Sequence, residues 1–147
     1  MDFQLHQLST SNLASIFNSA FMDAEALEDS TFCTFKGDSL CLYIYPVIDN
    51  DLIRFASYIQ LPESFKEEDE TRFLQILNNC LHYAKAIRCS NEKDEKQRSI
   101  LFEYEYPVFK GQSISPKTLV KLARTFEKTV LDSGRLYHQS FAQAENK

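Results

Sequence analysis

Glycine is scarce: Gly37, Gly111 and Gly134 are the only three in 147 residues. A loop that cradles phosphate needs several glycines close together, so that class of nucleotide site is excluded. Tryptophan is absent, and four prolines with so little glycine leave no linker or low-complexity stretch. Cys33, Cys41, Cys80 and Cys89 never fall at C-x-x-C spacing, and His6, His82 and His138 are scattered. Neither a metal site nor a Cys/His dyad is signalled, so no cofactor, metal or catalytic residue is expected. Basic charge is also short, with 16 Lys and Arg against 21 Asp and Glu, a net charge of −5. Phosphate backbones and anionic lipids are neutralised by clustered cations, so neither nucleic acid nor membrane is an expected partner. No apolar run approaches the ~20 residues that span a bilayer. The start, Met1 to His6, lacks the basic and apolar regions of a secretory signal, which predicts a cytoplasmic protein. In that reducing setting the cysteines read as small buried hydrophobes, with a cross-hairpin Cys33–Cys41 disulfide as the alternative.

What is present is periodicity. Ser9, Thr10 and Ser11 are each able to cap a helix whose apolar stripe is Leu13, Ile16, Phe17, Ala20 and Phe21. The period then changes to two. Thr31–Phe35, Leu40–Val47 and Leu52–Leu61 read as strands joined by short polar turns, hence as antiparallel neighbours. Pro46 cannot donate to a ladder, so that end of its strand belongs at an edge or bulge. Ser64 and Glu67 fit a capping box for a second helix bearing Phe73, Leu77, Cys80 and Ala84 on one face. A short strand at Ile87, a charged loop from Ser90 to Arg98 and a strand from Ile100 to Val108 follow. Ser115–Pro116 begins a third helix with Leu119, Leu122, Ala123, Phe126 and Val130 inward. The order α-β-β-β-α-β-β-α predicts one α+β domain over residues 1–147. It has an antiparallel sheet of about five strands, covered on one face by the two later helices, with Leu77, Leu81, Leu122 and Phe126 buried.

Alternation assigns the two faces of that sheet. Leu40, Leu42, Ile44, Ile53, Phe55, Ile59, Ile100, Phe102, Tyr104 and Tyr106 share the core side. The opposite side then carries Cys41, Tyr43, Tyr45, Ala56, Tyr58 and Leu101 among Arg54, Gln60, Glu103 and Glu105. Tyrosines framed by charges resemble an interface, and Tyr43, Tyr45, Arg54, Tyr58 and Leu101 are its candidate residues, with the first helix as a neighbour. The bland alternative is a half-exposed sheet face with incidental aromatics. Glu103 and Glu105 share a strand face and read either as an acid/base pair or as an ion-paired surface. Lys117, Lys121, Arg124 and Lys128, at i, i+4, i+7 and i+11, are either a docking strip for an acidic partner or the wet side of a helix.

From Thr71 to Phe126 the pattern is most distinctive. Leu77-Asn78, a short strand at Ile87, a charged loop, the strand Ile100 to Val108 and a Ser115-x-x-x-Leu119 helix start occur in that order. With Leu13-Ala14 and three strands before them, the chain resembles the YbjN-like family of candidate bacterial sensory transduction regulators. That family shares its fold with the class I effector chaperones of type III secretion. The polar segment Asp23 to Ser30 departs from the pattern, since the family usually has a first strand there. The resemblance implies a homodimer with a protein-binding, regulatory or chaperone-like role and no catalytic residues. Two alternatives stand beside it, a dedicated type III secretion effector chaperone and a small-molecule sensor with its ligand between sheet and helices.

Overall fold

Ser9 accepts a hydrogen bond from the Asn12 amide through its Oγ and caps α1 (Thr10–Ser19), so of the three candidate caps the first is used. The computed structural model describes residues 1–28, 31–35, 40–80, 84–91 and 94–137. A short strand β1 (Phe3–Gln4) precedes α1, and β2 (Met22–Ala26), β3 (Thr31–Phe35), β4 (Cys41–Val47) and β5 (Leu52–Gln60) follow it. Next come α2 (Glu67–Cys80), β6 (Lys85–Asn91), β7 (Asp94–Pro107), β8 (Ser113–Ile114) and α3 (Pro116–Tyr137). β2 to β7 form a six-stranded antiparallel sheet in the order β2-β3-β4-β5-β7-β6, while β1 and β8 pair separately.

The α+β class and the antiparallel sheet are those expected, with one further strand in the sheet. That strand is β2, within the segment too polar to read as a strand. It is an edge strand, and of its five residues only Met22 is buried. β7 also begins earlier than expected, because Asp94 to Arg98 of the charged run belong to the strand instead of a loop. Pro46 pairs with Ile53 of β5, and Thr31, where the described part of β3 begins, lies opposite Ile44. In the β3–β4 register Leu42 faces Cys33 and Thr34 faces Cys41, so the two cysteines do not occupy facing positions.

All three helices pack on one side of the sheet. Leu13 and Phe17 of α1, Phe73 and Leu77 of α2, and Leu119, Ala123, Phe126 and Val130 of α3 join one cluster with Leu42, Ile44, Ile53, Phe55, Ile100 and Phe102. Phe55 anchors it, with its ring 6.2 Å from Phe126 and 5.9 Å from Tyr104. The first helix therefore covers the core side and is no neighbour of the tyrosines. Leu77 and Phe126 are deeply buried as predicted, Leu122 is half-buried, and Leu81 lies outside the described residues.

Both edges of the sheet are closed by an asparagine. Asn18 of α1 donates from Nδ2 to the Ala24 carbonyl at 3.0 Å and accepts from the Ala24 amide at 2.9 Å. Asn78 of α2 does the same for Ala86 at 3.0 and 2.9 Å. A primary amide side chain presents one acceptor and donors in the geometry of a peptide group. Each asparagine thus supplies one rung of a missing strand, where an open edge would invite another chain.

Three local expectations are corrected. Phe21 does not complete the α1 stripe, because the helix ends at Ser19 and Phe21 turns out with φ +63° at 86% exposure. α2 starts at Glu67, not from a capping box at Ser64. A turn from Pro62 to Phe65 intervenes, in which the Phe65 amide donates to the Pro62 carbonyl, and Phe65 is buried against Phe73. The stripe of α2 ends at Leu77, since Cys80 is exposed and Ala84 lies beyond the helix. α3 does start at Pro116, with Ser115 Oγ accepting from the Thr118 amide, and it runs through Gly134 to Tyr137.

Candidate functional site

Four of the six strands carry the candidate residues on the face opposite the helices, and their register arranges these in rows. Tyr45 of β4, Arg54 of β5 and Glu105 of β7 lie opposite one another in the first row. Tyr43, Ala56, Glu103 and Lys85 form the second, and Tyr58, Leu101 and Ile87 the third. Tyr43, Tyr45, Arg54, Tyr58 and Leu101, chosen by alternation alone, are thus brought onto one continuous face. Lys85 and Ile87 extend it. They escaped the sequence reading because β6 looked too short, although they alternate in the same sense.

The rows differ in chemistry. In the first, the Arg54 guanidinium carbon stands 5.7 Å from the Tyr45 ring centroid, a cation–π distance. Arg54 also donates to Glu105 Oε1, from Nε at 3.1 Å and Nη2 at 2.9 Å. In the second, Glu103 Oε1 lies 3.4 Å from Lys85 Nζ and 3.8 Å from Arg54 Nε. Ala56, between Tyr43 and Glu103, is buried and forms the floor. In the third row Tyr58 is 53% exposed, Ile87 is exposed and Leu101 half-buried. The Tyr43 and Tyr58 rings meet edge to face at 6.2 Å and join the polar rows to the apolar one.

The Arg54 hydrogen bond holds the Glu105 carboxyl below the usual glutamate range against the opposing effect of burial, with the Arg54 and Lys85 charges adding to it. A general acid near neutral pH needs the reverse shift. Glu105 is built as an ion-pair partner, which favours the surface reading of Glu103 and Glu105 over the acid/base reading.

A second Arg–Glu pair lies on the other side of the molecule, and the sequence reading missed it. Arg98 donates from Nη1 to Glu70 Oε2 at 2.9 Å and from Nη2 to the Phe65 carbonyl. Glu70 is fully buried in the first turn of α2, and the Arg98 carbonyl accepts from the Leu61 amide at 2.8 Å. Together these contacts fasten β7 to the corner between β5 and α2. One hollow, about 210 Å³, lies at one end of the sheet beside His6, Ile48, Asp51 and Phe109. A shallower one, about 510 Å³, lies along α2 beside Thr71, Leu74, Gln75, Asn78 and Asn79. Among the described residues no group of three or more His, Cys, Asp or Glu is placed to hold a metal ion, and no helix is long and apolar enough to cross a membrane.

The architecture defines an α+β protein with an antiparallel sheet, helices on one side and a half-open aromatic and charged face on the other. No family model and no curated protein match the sequence. Among solved structures, YbjN of E. coli, described as a candidate transcription regulator, superposes with a TM-score of 0.69 at 12% identity, covering 90% of this chain and 94% of that one. An uncharacterized protein of Methanothermobacter thermautotrophicus superposes with a TM-score of 0.59 at 15% identity, covering 91% and 99%. The chain has the YbjN fold, as the resemblance in its sequence implied.

Proposed function

We propose that the chain is a single-domain, non-enzymatic, protein-binding regulator or chaperone-like adaptor of the cytoplasm, acting through the outer sheet face as a homodimer and binding neither nucleic acid nor membrane. The observation that carries the reading is the composition of that face in register: exposed Tyr58 and Ile87 with Leu101 beside Tyr43, framed by Arg54, Lys85, Glu103 and Glu105. Exposed aromatics offer large contact area at low entropic cost, and interfaces are enriched in them. A second copy is the fitting occupant. A two-fold contact sets a patch against itself, and this patch carries both signs of charge, so a rotated copy can oppose cation to carboxylate. Helices cover the other side of the sheet, and Asn18 and Asn78 close a rung of each edge strand, which leaves the outer face as its open surface. The fold it shares with a candidate transcription regulator agrees with a regulatory role.

The test replaces Tyr43 with Ser and Tyr58 with Lys in one chain. Light scattering is expected to fall from a two-chain mass to one of 17.1 kDa, with partners lost in a pull-down from the native host. A folded variant that keeps its mass and every partner would show the face to be idle.

A further inference from the structure

The basic row of α3 is longer in the structure than the four residues first noticed. Lys117, Lys121, Arg124 and Lys128 are all exposed, and Leu131 and Arg135, also exposed, continue the line at i+14 and i+18. At 3.6 residues per turn these six positions fall on one stripe about 27 Å long. Five of the chain's sixteen cations stand in it, so the other eleven face twenty-one carboxylates. Among the described residues no ion pair engages Lys117, Lys121, Arg124 or Lys128, while Arg135 lies 3.5 Å from Asp132 on the same helix. Beside the middle of the stripe, Arg124 Nη2 donates to the Ala20 carbonyl at 3.1 Å, and the next residue is Phe21. A bulky side chain at φ +63° is strained, and at 86% exposure this ring has no burial to offset the strain. Such strain gathers at binding sites, where a displayed group serves a partner.

We propose that the α3 stripe docks an extended acidic segment of a partner protein, whose apolar side chain seats against Phe21. Charge complementarity selects the partner, because a stripe of cations on an otherwise acidic protein attracts a narrow anionic chain and repels a broad one. About eight extended residues span the stripe. Nucleic acid fits less well: a polyphosphate long enough to bind would also meet the surrounding carboxylates. This surface lies on the helical side, away from the outer sheet face, and needs nothing from it. The Tyr43→Ser/Tyr58→Lys chain is therefore expected to bind the same probe as the unaltered one, which keeps the two readings separable.

The probe is a fluorescein-labelled Glu/Asp peptide of about eight residues with a central Leu, set against the same peptide with Ser in place of Leu. Fluorescence anisotropy is expected to show binding that weakens with added salt and drops at least about tenfold in Lys121→Glu/Lys128→Glu. Phe21→Gly is expected to weaken only the Leu peptide while melting no lower than the unaltered chain, because glycine accepts a positive φ without strain. That combination separates a displayed ring from a structural one. Absence of binding, binding indifferent to the charge reversal, a lower melting temperature for Phe21→Gly, or tighter binding of a single-stranded or duplex oligonucleotide would each overturn the proposal.

Discussion

The two Arg–Glu pairs use the same chemistry in opposite settings. Arg98 and Glu70 join at 2.9 Å with Glu70 fully buried, while Arg54 and Glu105 join at the same distance with side chains 27% and 34% exposed. The buried pair stitches β7 to the start of α2 and also engages the Phe65 carbonyl in the turn before it, so two regions far apart in sequence depend on it. The outer pair lies across two strands already held together along the whole of β5, beside the Tyr45 ring. One pair serves the fold. The other is a surface feature.

The largest effect expected from this contrast is at the buried pair. Arg98→Ala leaves Glu70 charged in a closed site and is expected to lower stability by about 3–5 kcal/mol in urea unfolding, with Glu70→Ala in the same range. A loss below about 1 kcal/mol would make both pairs equivalent and remove the distinction. Next in size is the outer pair. Arg54→Met with Glu105→Gln, singly and together, is expected to give a coupling under about 1 kcal/mol, because water screens these side chains. A double-mutant cycle on the Tyr43→Ser/Tyr58→Lys background checks it, and a coupling of several kcal/mol would move this pair into the structural class.

The smallest effect is on pH dependence. Arg54 lowers the folded-state pKa of Glu105, so the stability it contributes is complete above the unfolded glutamate value, about 4.3. It is lost as pH falls through the lower folded value. Urea unfolding of the parent and of Glu105→Gln is therefore expected to show a small gap that is constant from pH 7 to about pH 5 and gone in stronger acid. A gap that widened on acidification would reverse the assigned sign.

Much of the core side was legible because burial imposes period. Leu42, Ile44, Ile53, Phe55, Ile100 and Phe102 alternate as a half-buried sheet demands, and the same alternation sent Tyr43, Tyr45, Arg54, Tyr58 and Leu101 to the outer face. Edges impose less. Met22 to Ala26 forms a strand with one buried residue, because its place is fixed by pairing with β3 and by the Asn18 amide rather than by apolar content. Arg98 was hidden in a run of charges, where nothing local separates a solvated cation from one that reaches a buried carboxylate 28 residues away. Phe21 was misplaced because the helical period was carried two residues past Ser19, where α1 ends in a turn.

If the outer face, and not the helical side, is where this chain meets its own copy, the amides of that face respond to dilution. A dilution series of the nitrogen-labelled protein followed by backbone amide NMR reads it residue by residue. Shifts that move with concentration are expected at Tyr43, Ala56, Tyr58, Leu101 and Ile87, while Leu119, Ala123 and Phe126 of α3 stay fixed. Shifts that ignore concentration, or that move on α3 with the tyrosine face silent, would contradict it.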